Sequence, residues 1–227
     1  PDWGTGHEAF GDDYAVFSDI DKRTCKEVAA VLESSLARFR SQLRDTSAAS
    51  RGERERFRVY VFSGRAGYLE YVRDVLGFSP ENSAGLYSPA LRQLVVWNAP
   101  DRADMLRTVR HEGLHQYLDT FMDAPVWLSE GLAEYFEEAD FTKGASSQIP
   151  VRRDHVELLQ RGLARWIPLA DLLALDGPDF YRNADLHYAQ AWAPAHFLRH
   201  SGPAHRARLE PMLDRPAEMH MDRAMRM

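Results

Sequence analysis

Short β-branched and aromatic runs with a helical spacing between them mark the first part of the chain, and beyond them apolar positions follow the helical period alone. "YAVFSDI" (residues 14–20) and "RFRVYVFS" (56–63) are β-branched and aromatic runs that read as strands. Between them Val28, Val31, Leu32, Leu36, Phe39 and Leu43 recur at helical spacing and predict a helix over 24–43. "TSAASRGERE" then reads as a polar loop, and a second helix is expected over 66–76, stopped by Gly77. "AGLYSPALRQLVVWN" predicts two short strands about a Ser-Pro turn. The stronger of these, 94–97, has two readings: an interior strand, or the rim of a cleft where a peptide adds as a further strand.

After Asp101, which suits a helix N-cap, the helical period takes over. It predicts a helix from 102 to about 122, a break at "DAP", and a return helix over 126–138. "DFTKGASSQIP" reads as a loop or small hairpin, followed by helices over 155–164, 169–175 and 186–200. Pro194 lies inside the last of these, where a lost hydrogen bond should kink it. The tail from 201 carries three prolines, and no element is assigned to it. Strands with helices first and helices alone afterwards make an α+β chain: a small mixed sheet, then a mainly helical part, with the 102–122 helix between them. A single domain is expected over 1–227, with lobes of about 1–100 and about 101–227.

Composition narrows the possible functions without choosing among them. A formal net charge of −6, with the arginines scattered, argues against a nucleic-acid surface. All but three of the 28 basic residues are arginine, which reads as coding bias. Cys25 is the single cysteine, so no internal disulfide forms. No apolar run approaches the ~20 residues that span a bilayer. The opening "PDWGTGHEAFGDD" has neither a basic leader nor an apolar stretch, so no signal peptide is expected within it. Export through a leader absent from these residues stays open, as do compartment and oligomeric state.

The chemistry gathers in "RHEGLHQYLDTFMDAPVWLSEGLAEYFEE" (110–138). His111 and His115 are four residues apart, hence on one helix face, where two imidazoles can meet one zinc ion. Glu112 lies beside them, where a carboxylate can take a proton from water at the metal. A catalytic zinc needs a third protein ligand and an open position. Counting at ~1.5 Å per residue through the turn and back places Glu130 about level with His115 and Glu134 about level with His111. One carboxylate can complete the shell and the other can hold the outer nitrogen of His111. Asp119 is a poor third ligand, because eight residues, about 12 Å of helix, separate it from His111. A metzincin continuation fails too, since Leu118 and Phe121 stand where glycine and histidine would be needed. Gly113 costs about 1 kcal/mol inside a helix, which close approach to its backbone by a neighbour would offset and which a helix can also simply tolerate.

"HEGLHQYLD…APVWLSEGLAEYFE" resembles the gluzincin metallopeptidases, in which a HExxH helix is followed by one supplying a glutamate ligand. More narrowly the chain resembles a bacterial family of peptidase-MA-like domains, through "RVYVFSGRAGYLEYV", "AGLYSPALRQLVVW", "IPLADLLAL" and "LHYAQAWAPAHFL" as well. The resemblance implies a zincin-like fold, His111, His115 and Glu130 as zinc ligands, Glu112 as base, and Glu134 as the partner of His111. It also implies an oxyanion donor from the later helices, with Tyr188 first and His187 second. The other histidines, His155 among them, read as core or surface residues. The aromatic residues flanking the two motifs are expected to pack the helices together.

Two functions follow. The first is a zinc peptidase acting on peptides or proteins, an endopeptidase because no "GxMEN"-like segment for holding a substrate amino terminus is found. The second is a catalytically idle zincin fold that binds a protein or cell-envelope partner. Glu112 favours the first, since a structural zinc needs no base.

Overall fold

In a computed structural model, which describes residues 6–43, 56–78, 83–139 and 149–213, the β-branched and aromatic runs pair into one sheet. Its strands are β1 (His7–Phe10), β2 (Tyr14–Ser18), β3 (Phe57–Phe62), β4 (Gly85–Ser88) and β5 (Gln93–Trp97), in the order β1-β2-β3-β5-β4. β2, β3 and β5 are parallel, and antiparallel β1 and β4 close the two edges. The β5 strand is therefore interior, and the edge that could form a rim belongs to β4. β1 went unforeseen because an exposed edge strand buries neither face and leaves no alternation to detect.

The sheet's two faces carry separate cores. Val16, Val59, Val61, Leu94 and Val96 face α1 (Lys22–Gln42), whose Val28, Val31, Leu32, Leu36 and Phe39 are the residues its spacing marks. Asp21 caps this helix, accepting from the Thr24 amide at 2.6 Å. On the other face Phe62 and Val95 meet Tyr68, Tyr71 and Val72. These come from α2 (Arg65–Tyr71) and the π-helical turn Val72–Leu76 that extends it. Gly77 ends that turn at φ 80°, a conformation costly for any residue with a Cβ.

Beyond β5 the described residues are helical: α3 (Arg102–Leu118), α4 (Val126–Phe136), α5 (Arg153–Arg161), α6 (Leu169–Ala174), α7 (Gly177–Tyr181), α8 (Ala184–His200), α9 (Pro203–Arg206) and α10 (Glu210–Leu213). α3 packs on α1 through Met105, Val109, Leu114 and Tyr117, and α4 lies between α3 and α8. α8 runs through Pro194 without ending, so the proline does not break the helix as it would an isolated one. The packing of α8 along α4 supplies the support. Among the described residues no helix is long and apolar enough to cross a membrane. The expected loop after α1 and hairpin after α4 lie largely outside the described residues.

Candidate metal centre

α3 has two working faces. Asp101 starts it, accepting from the amides of Ala103 and Asp104 at 2.7 and 3.4 Å. One face is core. The other, carrying His111, Glu112 and His115, lines a cleft of about 1570 Å³ bounded also by β4, α4, α7 and α8. Gly113 lies on the core side, where an added Cβ would stand 2.6 Å from Leu32 Cδ2. A neighbour therefore does approach the Gly113 backbone closely, and it is a side-chain tip.

α4 is buried nearly all round, and its carboxylates are buried with it. A buried carboxylate must be paired, and each of these is. Glu130 Oε2 stands 3.2 Å from His111 Nε2 and 3.4 Å from His115 Nε2. Its Oε1 accepts from the Tyr181 hydroxyl at 2.6 Å. Glu134 Oε2 meets Arg152 Nη1 at 2.7 Å and His155 Nε2 at 2.8 Å. Glu137, just past the helix end, reaches His111 Nδ1 with Oε2 at 2.7 Å and accepts from Arg152 with Oε1.

Three of the four expected metal-site side chains thus converge, and the fourth does not take its expected place. The outer nitrogen of His111 belongs to Glu137, while Glu134 Oε1 stays 3.9 Å from it. Helical geometry explains the change. Glu137 is three residues beyond Glu134 on the same face, and Glu134 is turned toward Arg152 and His155. The sequence assigned no role to Glu137, Ser129, Tyr181 or Arg152, and His155, read there as a core or surface residue, is buried against Glu134. Ser129 Oγ lies 2.8 Å from His115 Nδ1, so both outer ring nitrogens are held.

The donor set fits one small divalent ion. Nε2 of His111, Nε2 of His115 and a carboxylate oxygen of Glu130 lie within 4.8 Å of one another. Ligands ~2.0–2.1 Å from a tetrahedral ion sit roughly 3.3 Å apart, and the two histidine–carboxylate separations are 3.2 and 3.4 Å. A second grouping, His111, Glu134 and Glu137, also comes within that reach. There the Arg152 guanidinium already sits between the two carboxylates, so a cation is supplied by the chain.

Electrostatics follow the same arrangement. Burial alone would lower the His111 pKa, but its bonds to Glu130 and Glu137 outweigh this and hold it well above its ordinary value. Burial would raise the Glu130 pKa, yet His115 and His111 hold it well below the usual carboxylate range. Glu112 is pushed up by burial, against the pull of both histidines and a backbone hydrogen bond at Tyr87. Tyr188 lies at the cleft wall with its ring centroid 6.3 Å from that of His111. Burial and the carboxylates of Glu130 and Glu112 raise its pKa, so the hydroxyl stays a donor. His187 turns away, its Nδ1 2.7 Å from the Phe180 carbonyl, and does not line the cleft.

Residues 105–208 match a family described as protein of unknown function (DUF1570). The DUF1570 match begins within α3 and covers every side chain of the centre from His111 to Tyr188. No curated protein matches the chain.

Proposed function

We propose that this chain is a zinc-dependent peptidase of the gluzincin type, hydrolysing bonds within peptide or protein chains. The sheet-bearing part and the helical part would form the two walls of one zincin-like catalytic unit. The observation that carries the reading is the convergence of His111 Nε2 and His115 Nε2 on Glu130 Oε2 at 3.2 and 3.4 Å, with Glu112 in the same cleft.

Zinc held by these three residues would supply Lewis acidity, drawing the pKa of water toward ~7 and polarising a carbonyl. The remaining steps belong to the chain. Glu112 takes a proton from water and returns it to the departing amine, a role helped by the burial that raises its pKa. Tyr188, kept protonated, donates to the oxyanion as it forms. The β4 edge, with Leu86 and Tyr87 on the cleft, offers backbone groups to an extended substrate.

The test is Glu112→Gln, which keeps the side chain's size and removes its basicity. Metal-replete wild type should hold about one zinc per chain and cleave an unfolded protein substrate. The variant should hold the same zinc and lose roughly 10²–10⁴-fold in turnover. Equal, negligible cleavage by both proteins would instead support the idle, partner-binding fold.

A further inference from the structure

We infer that Arg152 is a positioning residue for the metal centre, acting through Glu137 on His111, and that metal occupancy in turn tightens the docking of α5. The inference rests on the metal reading above and extends it to a segment that supplies no ligand.

Arg152 lies at the start of α5, beyond residues 140–148, and is 12 % exposed at its side chain. Its Nη1 contacts both Glu134 Oε2 and Glu137 Oε1, and its Nη2 meets Asp154 Oδ2 at 2.6 Å. Glu137 is thereby held from three sides. Arg110 Nε binds its backbone carbonyl at 2.5 Å, Arg152 takes one carboxylate oxygen, and the other faces His111 Nδ1. A carboxylate on Nδ1 keeps the proton on that nitrogen and leaves the Nε2 lone pair for a metal. Nε2 is the nitrogen that faces Glu130.

Without the guanidinium, Glu134 and Glu137 would be buried carboxylates with too little positive charge between them. The two like charges would push apart, and one side chain would rotate away. Glu137 would then hold the ring orientation of His111 less firmly. His155 binds Glu134 from the next turn of the same segment, so α5 carries two groups directed at this underside of the centre.

Linkage supplies the second half of the inference. If docking of Arg152 strengthens metal binding, metal binding must strengthen the docking of Arg152 by the same factor. α5 is then the element whose local opening responds to occupancy.

The experiment measures zinc affinity by chelator competition on the full chain. Glu137→Gln and Arg152→Met should each weaken zinc about 10–100-fold. The double variant should lose little more than either single, because the two residues act in series. Arg152→Lys should recover part of the loss, since an ammonium restores charge but not the planar fork. Arg161→Met, which breaks an exposed pair with Glu157 on the same helix, should bind zinc as wild type does. Hydrogen exchange on wild type needs no variant: adding zinc should slow exchange across 153–161.

Zinc affinity unchanged in Arg152→Met, fully additive losses, or zinc-insensitive exchange over 153–161 would each overturn the inference while the metal reading stands. Wild type that binds no zinc would overturn both.

Discussion

The Tyr181 hydroxyl donates to Glu130 Oε1 at 2.6 Å, while Oε2 of the same carboxylate faces both motif histidines. One oxygen is thus committed to the protein and the other is turned to the ligand position. Tyr181→Phe should leave the fold intact and weaken zinc about 10-fold, the lower end of losses for outer partners. Chelator competition reads this directly, and an unchanged affinity would mean Glu130 is held by its histidines alone.

Tyr188 and His187 are neighbours in sequence with opposite surroundings. Tyr188 faces the cleft, and His187 binds the Phe180 carbonyl. Tyr188→Phe should cut turnover by roughly 10²–10³-fold, the scale of one lost oxyanion donor, with zinc content unchanged. His187→Gln should leave turnover within a few-fold of wild type while lowering the thermal midpoint. A reversed pattern in steady-state kinetics would reassign the donor.

Gly131, next to Glu130, faces α8 so closely that a Cβ would stand 2.4 Å from the Ala191 carbonyl oxygen. The obstacle is backbone and cannot rotate aside. Gly131→Ala should therefore destabilise by about 1–3 kcal/mol, as overpacking does, and should separate Glu130 from Tyr188. Denaturant unfolding checks the first effect and zinc affinity the second.

Asp154 gives a pH test away from the ligands. Its hydrogen bond to Arg152 holds its carboxyl well below the usual range. A depressed folded-state pKa gives stability that is fully present above the unfolded value of ~3.9 and lost as pH falls toward the folded one. Metal-free wild type should exceed Asp154→Asn in stability at pH 6, and the gap should shrink steadily below about pH 4. A constant gap in denaturant titrations would show that charge is not the source.

Helical counting brought Glu130 level with His115 because both sit on regular helices joined by a short turn, where axial rise is a dependable ruler. The same ruler misassigned the partner of His111, since Glu134 and Glu137 share a face and only Arg152 and His155 decide which turns where. Those two arrive from a later segment, and no spacing in the sequence connects them to "HEGLH". Tyr181 sits on a five-residue helix, too short for a period to show. The main strands were legible as short β-branched and aromatic runs buried on both faces, α1 because it buries one regular face, and α4 from the break that precedes it.

The proposed ligands also bear on how the molecule assembles. His111 and Glu130 are only 19 residues apart, and the two helices carrying them are consecutive. Closing so short a loop costs little chain entropy, and local contacts form before distant ones. A hairpin of α3 and α4 could therefore present all three ligands to an ion before α7 and α8 arrive. Tyr181 is 51 residues beyond Glu130. During synthesis the crude site would come first, and the side chains that refine it would close over it afterwards.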